Sequence, residues 1–128
     1  MLDTIPFTYV APSSIHGEGL FAEVDFRAGQ ILGTLDGQVV RHADHPEVFD
    51  EEWNAISDDL FLVRGLPTKY GKINHDPDPN CFIDEGDMSI RAARAIASDE
   101  ELTLDYLARP LPAAFLALGR NAYLRETE

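Results

Sequence analysis

Ile73-Asn74-His75-Asp76-Pro77-Asp78-Pro79-Asn80-Cys81 gathers two asparagines, a histidine, two aspartates and a cysteine around two prolines. Its two prolines fix φ at alternate positions and remove two backbone donors. The segment therefore reads as a rigid polar loop, not as the interior of a helix or a central strand. An adjacent Asn and His lead into it and a second Asn leads out. His75, Asp76 and Asp78 are metal-ligand types, but the prolines do not produce the one-face spacing of helical metal sites, and we expect no metal here. Cys81 opens an expected strand, Cys81 to Asp84, and reads as a small core residue, not a nucleophile.

Two further stretches stand out on either side. Upstream, His16-Gly17-Glu18-Gly19-Leu20-Phe21-Ala22 has two glycines one residue apart, which let a backbone turn tightly and come close to a ligand. The third glycine and the following helix of a dinucleotide fingerprint are missing. Downstream, in Glu100-Glu101-Leu102-Thr103-Leu104-Asp105-Tyr106, alternation puts Leu102 and Leu104 on one face and Thr103 and Asp105 on the other, with Tyr106 at the strand end. A tyrosine there can pack with its hydroxyl bonded or can serve a site.

The rest of the chain reads mostly as short strands. Phe7 to Val10, Gly19 to Val24 and Leu60 to Arg64 have strand composition. Ile31 to Leu35 and Gln38 to Arg41 flank Asp36-Gly37, a two-residue hairpin signal. Glu85-Gly86-Asp87 predicts a turn into a return strand, Met88 to Ile96. Asp44 is a candidate helix cap, and Phe49, Trp53 and Ile56 at i, i+4 and i+7 predict a helix within residues 42 to 57, with Glu51 and Glu52 in solvent. Gly65, Pro67, Gly71, Pro77 and Pro79 keep regular structure short from 65 to 80. Pro112 to Leu124 reads as a tail helix with Phe115, Leu118 and Ala122 on one face. The pattern predicts a mainly β domain with a few short helices, of the α+β class.

At 128 residues and 45% hydrophobic, the chain suits one domain with a core. Ten Lys/Arg against 23 Asp/Glu give a net charge of −13, which repels phosphate backbones and argues against direct nucleic-acid binding. The same charge suits a basic protein partner. The single cysteine excludes an intrachain disulfide and a Cys-rich zinc cluster. Met1 to Pro6 lacks the basic and apolar regions of a signal peptide, and no segment approaches the ~20 apolar residues that cross a bilayer. We expect a soluble intracellular protein, the cytoplasm being the simplest setting, with no membrane partner. His42 and His45 with Asp44 and Asp50 read as a solvated face, not a metal site. No Ser/His/Asp or Cys/His constellation supports acyl transfer.

Taken together and in order, the segments at 17–22, 74–81 and 100–106 resemble the SET domain of S-adenosylmethionine-dependent protein lysine methyltransferases, from about Phe7 to Tyr106. Tyr9-Val10-Ala11 and Gly71-Lys72 also fit members of that family. The resemblance implies small twisted sheets with a knot-like C-terminal crossing, a catalytic domain over 5–107 and a helical tail, 108–128, on or near the site. It implies S-adenosylmethionine as cofactor, held by Gly17, Glu18, Gly19, Lys72, Asn74 and His75. Tyr106 would be the catalytic tyrosine, and Tyr9, Ile83 and Leu104 would line the lysine channel. Asn80 and Asp105 would hold the crossing. The acceptor would be a lysine on a basic protein or peptide.

The chain departs from the family pattern in two ways. The zinc-binding cysteine cluster that many members carry after the tyrosine has no counterpart here, which leaves Phe115 or Tyr123 to cover the site unless Phe115 simply packs the tail down. Ile83 and Leu104 stand where an aromatic often sets the methylation degree, so that degree stays open. Two other readings remain: a non-catalytic SET-like module that binds a basic partner, and an acidic interaction domain outside the family.

Overall fold

The computed structural model describes residues 3–108 and 113–117. Their strands are β1 (Thr8–Pro12), β2 (Glu18–Ala22), β3 (Ile31–Thr34), β4 (Gln38–Arg41), β5 (Glu52–Ala55), β6 (Leu60–Arg64), β7 (Asn74–His75), β8 (Cys81–Asp84), β9 (Ser89–Ala92) and β10 (Thr103–Leu104). Short 3-10 turns cover His42–Asp44, Pro46–Asp50 and Lys69–Lys72, and one α-helical turn, α1, covers Ala113–Leu116. The expected class, small β sheets with short helices, is what the chain adopts. No helix among the described residues is long and apolar enough to cross a membrane.

The chain divides into two compact units. Among the described residues, those up to Leu35 and Thr68–Tyr106 form the first, and Asp36–Pro67 with 107–108 and 113–117 form the second. In the first unit, β1 and β2 pair antiparallel from Thr8↔Ala22 to Pro12↔Glu18. Strand β9 sits between β3 and β8, antiparallel to both. The segment 100–102 runs along the free edge of β2, with Leu102 N donating to Leu20 O at 2.8 Å and Ala22 N to Glu100 O at 3.0 Å. The same segment then becomes β10, which pairs parallel with β7 in the register Thr103↔Asn74 and Leu104↔His75. One stretch of seven residues thus ties the glycine-containing hairpin to the Asn-His strand. Leu20, Ile73, Cys81, Ile90, Ile96 and Leu102 are fully buried and fill this unit's interior.

The second unit is a sheet in the order β4-β6-β5, packed by an aromatic cluster of Phe49, Trp53, Phe61 and Phe115. Here three expectations fail. Asp36-Gly37 does not close a hairpin: β3 pairs with β9 while β4 pairs with β6. Gly37 adopts φ +137°, outside the left-handed turn conformation, and a Cβ there would lie 2.4 Å from the Val63 carbonyl. The glycine serves a close crossing of two backbones. The helix expected within 42–57 is replaced by two 3-10 turns and β5, and His45, not Asp44, precedes the second turn, without a side-chain cap.

The third failure concerns the glutamates, and it explains the strand. Glu52 is 13% exposed and accepts a bond from the buried Arg64 Nε at 2.5 Å. Arg64 also donates to Asn54 Oδ1 and Asp36 O, so a paired polar trio pins β5 against β6. Glu51 meets His45 Nε2 at 2.8 Å. Ile56, expected on the core face, is exposed. The return strand over 88–96 is also shorter, ending at Ala92, with Ile96 reached by an isolated bridge to Phe26. Of the tail helix, only Ala113–Leu116 is described, and Phe115 buries into the aromatic cluster; Leu118, Ala122 and Tyr123 lie outside the described residues.

Candidate active site

The geometry is best built from Asn74. The parallel pairing of β7 with β10 holds its backbone, and its side chain turns toward the loop between β1 and β2. Asn74 Nδ2 lies within hydrogen-bond distance of four acceptors: Ser13 Oγ (3.1 Å), His16 O (3.0 Å), Glu18 O (3.1 Å) and Glu101 Oε2 (2.9 Å). It therefore fastens the 16–19 loop to the strand pair. Within that loop Gly17 has φ +47°, a left-handed position suited to glycine. At Gly19 the constraint is contact: a Cβ would fall 2.3 Å from Glu101 Oε2, so any other residue would displace the end of that side chain. Lys72 Nζ meets Glu18 Oε1 at 2.9 Å, so Lys72 stands beside the same loop.

His75 and Tyr106 form the other half. Their rings are 5.2 Å apart, and the Tyr106 backbone N–H donates to His75 Nδ1 at 3.0 Å. That bond requires an unprotonated Nδ1 and so fixes the tautomer. The Tyr106 hydroxyl donates to the Ile73 carbonyl. Leu104, buried, pairs with His75 across the strands, and its carbonyl accepts from Asp76 N at 3.0 Å. Asp105 Oδ1 lies 3.7 Å from His75 Nδ1. Backbone pairing thus brings Asn74, His75, Leu104 and Tyr106 together, and Asn74 adds Gly17, Glu18 and Gly19.

Asn80 braces the arrangement from behind. It accepts from Thr103 N at 2.8 Å, donates from its own N–H to Thr103 Oγ1 at 3.1 Å, and donates from Nδ2 to Glu101 O and Glu100 Oε2. Thr103 is consequently buried, so both faces of β10 are covered. Burial pushes the neighbouring Cys81 thiol up to about 12, against a partly offsetting backbone bond from Thr103. Glu100 is held below its usual carboxylate range. Burial opposes that shift, but bonds from Ala97 N, Arg94 and Asn80 outweigh it.

Two channel candidates sit elsewhere in the first unit. Tyr9 pairs with Phe21 on the hairpin, three positions from the Pro12↔Glu18 end that Asn74 holds, and stacks on Phe21 at 5.6 Å. Its hydroxyl donates to Asp99 Oδ1 at 2.8 Å; that bond, with desolvation and the charges of Asp99 and Glu23, raises the phenol above 10.0. Ile83 lies half-buried on β8 opposite Ile90. The sequence reading missed Ser13 and Glu101. Ser13 Oγ donates to the Glu101 carboxylate at 2.8 Å and accepts from Ile15 N at 2.9 Å. A serine four residues before the first glycine and a second glutamate in Glu100-Glu101 were the available signals, but neither means anything until the two ends of the chain meet. In the second unit His45, Glu47 and Glu51 come within 4.8 Å, a different group from the His42/His45/Asp44/Asp50 set considered in the sequence. The two carboxylates approach opposite ring nitrogens, Glu51 at Nε2 at 2.8 Å and Glu47 at Nδ1 at 3.5 Å.

A family model described as the SET domain matches residues 17–107. Among curated proteins the chain is similar to the histone-lysine N-methyltransferase trithorax of Drosophila virilis, 32% identical over 111 residues, covering 73% of this chain and 3% of that protein. It is similar to an H3 lysine-36 specific histone-lysine N-methyltransferase of Aspergillus fumigatus, 35% identical over 106 residues, covering 70% and 11%. It is also similar to human histone-lysine N-methyltransferase 2D, 32% identical over 115 residues, covering 77% and 2%. The chain spans only a small fraction of the length of each of these relatives.

Proposed function

The chain belongs to the SET-domain family, and from that membership and the site's geometry we propose that it is a protein-lysine N-methyltransferase that uses S-adenosylmethionine. The observation that carries the proposal is the convergence of Tyr106, His75, Asn74 and the Gly17–Gly19 loop on one strand segment. These residues fit the cofactor on chemical grounds. The cofactor's amino-acid end carries an ammonium and a carboxylate. Carbonyls of His16 and Glu18 suit the first, and the Lys72 ammonium suits the second. Gly17, with nothing within 4 Å of where a Cβ would lie, leaves the loop's edge open to close approach.

S-adenosylmethionine supplies an electrophilic methyl group on sulfur. The chain's own residues then have three tasks. His75 fixes the Tyr106 backbone through Nδ1. The Tyr106 hydroxyl, held by the Ile73 carbonyl, orients the acceptor amine and stabilises developing charge. Leu104 offers an apolar surface, and desolvation there favours the neutral, nucleophilic amine over the ammonium. No strong protein base is needed for this chemistry. Tyr9 and Ile83 would line the approach of the lysine. The acceptor we propose is a basic protein or peptide, in keeping with the −13 charge and with relatives whose names specify histone lysine.

The test is transfer of radiolabelled methyl from S-adenosylmethionine to lysate protein and basic peptides. Tyr106→Phe should lower the rate by about a hundredfold, the scale of losing one transition-state hydrogen bond. An unchanged rate in that variant would remove the role given to Tyr106. No label with wild-type protein that binds the cofactor would remove the enzyme reading.

A further inference from the structure

Glu101 differs from the other carboxylates around the site. Glu18 pairs with Lys72 and Glu100 pairs with Arg94, each at 2.9 Å. Among the described residues Glu101 has no cationic partner; its side-chain donors are the neutral Ser13 hydroxyl and the Asn74 amide. It is half-buried and faces a ring rich in acceptors. Asn74 Nδ2 carries two hydrogens but lies near four acceptors, so at any moment two of them lack its proton. Ser13 has a single hydroxyl proton, which goes to Glu101. A negative carboxylate and two backbone carbonyls, His16 O and Glu18 O, are therefore collected around too few donors. Such a group is under-supplied with protons and with positive charge, and a cation with several N–H bonds would supply both.

The geometry points to Glu101 as the counter-charge for the α-ammonium of the cofactor's amino-acid end, with Ser13 and Asn74 aiming its carboxylate. Lys72, in the 69–72 turn and 2.9 Å from Glu18 of the 16–19 loop, would meet the carboxylate of the same zwitterion by exchanging its Glu18 partner. The close approach at Gly19 belongs to the same device: any side chain there would push the Glu101 carboxylate out of position. The inference rests on the methyltransferase reading above, because it takes the amino-acid end of the cofactor as the occupant.

It is tested by equilibrium binding, without turnover. S-adenosylhomocysteine and its analogue lacking the α-amino group would be titrated calorimetrically into wild type, Glu101→Gln and Ser13→Ala. Wild type should prefer the amino-bearing ligand by tenfold to a hundredfold, the scale of one charge-assisted contact. Glu101→Gln should lose that preference by weakening only the amino-bearing ligand. Ser13→Ala, which keeps the charge, should retain most of it. Equal binding of both ligands by wild type would overturn the inference while leaving the methyltransferase reading intact, and does not depend on any variant folding. Equal weakening of both ligands in Glu101→Gln would also overturn it, since that is the signature of a merely structural residue. No binding of S-adenosylhomocysteine by wild type would bring down the methyltransferase reading and the inference with it.

Discussion

Asn80 uses one buried side chain to hold two segments twenty residues apart. At 2% exposure it satisfies the Thr103 N–H and the Glu101 carbonyl, and its own N–H is satisfied by Thr103 Oγ1. Asn80→Ala would leave a buried donor and a buried acceptor without partners. Each such orphan costs about 1–3 kcal/mol, so a loss of roughly 2–6 kcal/mol in urea unfolding is expected. A variant with an unchanged denaturation midpoint would show that Asn80 is not the clasp. Asn80 stood out in the sequence only through the family resemblance, which implied a holding role for it and no contact with substrate. Cys81 was legible from composition alone. Glu101 was not, because its neighbour Glu100 is chemically identical on paper. Only the tertiary partners separate them, Arg94 and Ala97 for Glu100, Ser13 and Asn74 for Glu101.

Elements with strong local composition were readable. Leu60–Arg64 and Cys81–Asp84 are apolar runs bounded by turn residues, and the strands fall where that pattern puts them. Phe49, Trp53 and Ile56 misled because β5 is only four residues long. Trp53 and Ala55 both pack against the aromatic cluster, a period of two with just two members, which a helical spacing through Phe49 imitates. What decides for a strand is Arg64, on a partner strand later in the chain, and no local window contains it. Gly37 misled similarly, since Asp-Gly is also the commonest signal for a tight hairpin. The structure assigns it a crossing, and that assignment can be checked. Gly37→Ala would put a Cβ 2.4 Å from the Val63 carbonyl at a φ of +137°, where side chains are strained. We expect a loss of roughly 2 kcal/mol or more, seen as a fall in Tm on the order of 10 °C. A Tm within a degree of wild type would mean the crossing is looser than this geometry implies.

At the scale of the whole molecule, charge is the property the sequence states most plainly and the fold localises least. Residues 36–67 hold eight acidic groups against two arginines, and the first unit holds thirteen against five basic groups. Both units are therefore net negative, and the attraction they exert on a basic acceptor is a broad field, not a single contact. A field of that kind acts on encounter more than on the bound state, and it is screened over about 8–10 Å at ordinary ionic strength. The expectation follows directly: kcat/KM for a lysine-rich peptide should fall by about tenfold between low and moderately high salt. Most of the change should lie in the apparent affinity, since under the proposed function Tyr106 and Leu104 would act on an amine already bound. A peptide with one acceptor lysine and no other positive charge should show a nearly flat profile and a lower rate throughout. If the lysine-rich peptide is equally flat, the −13 charge has no part in recruiting the acceptor, and selection must come from short-range contacts around the lysine itself.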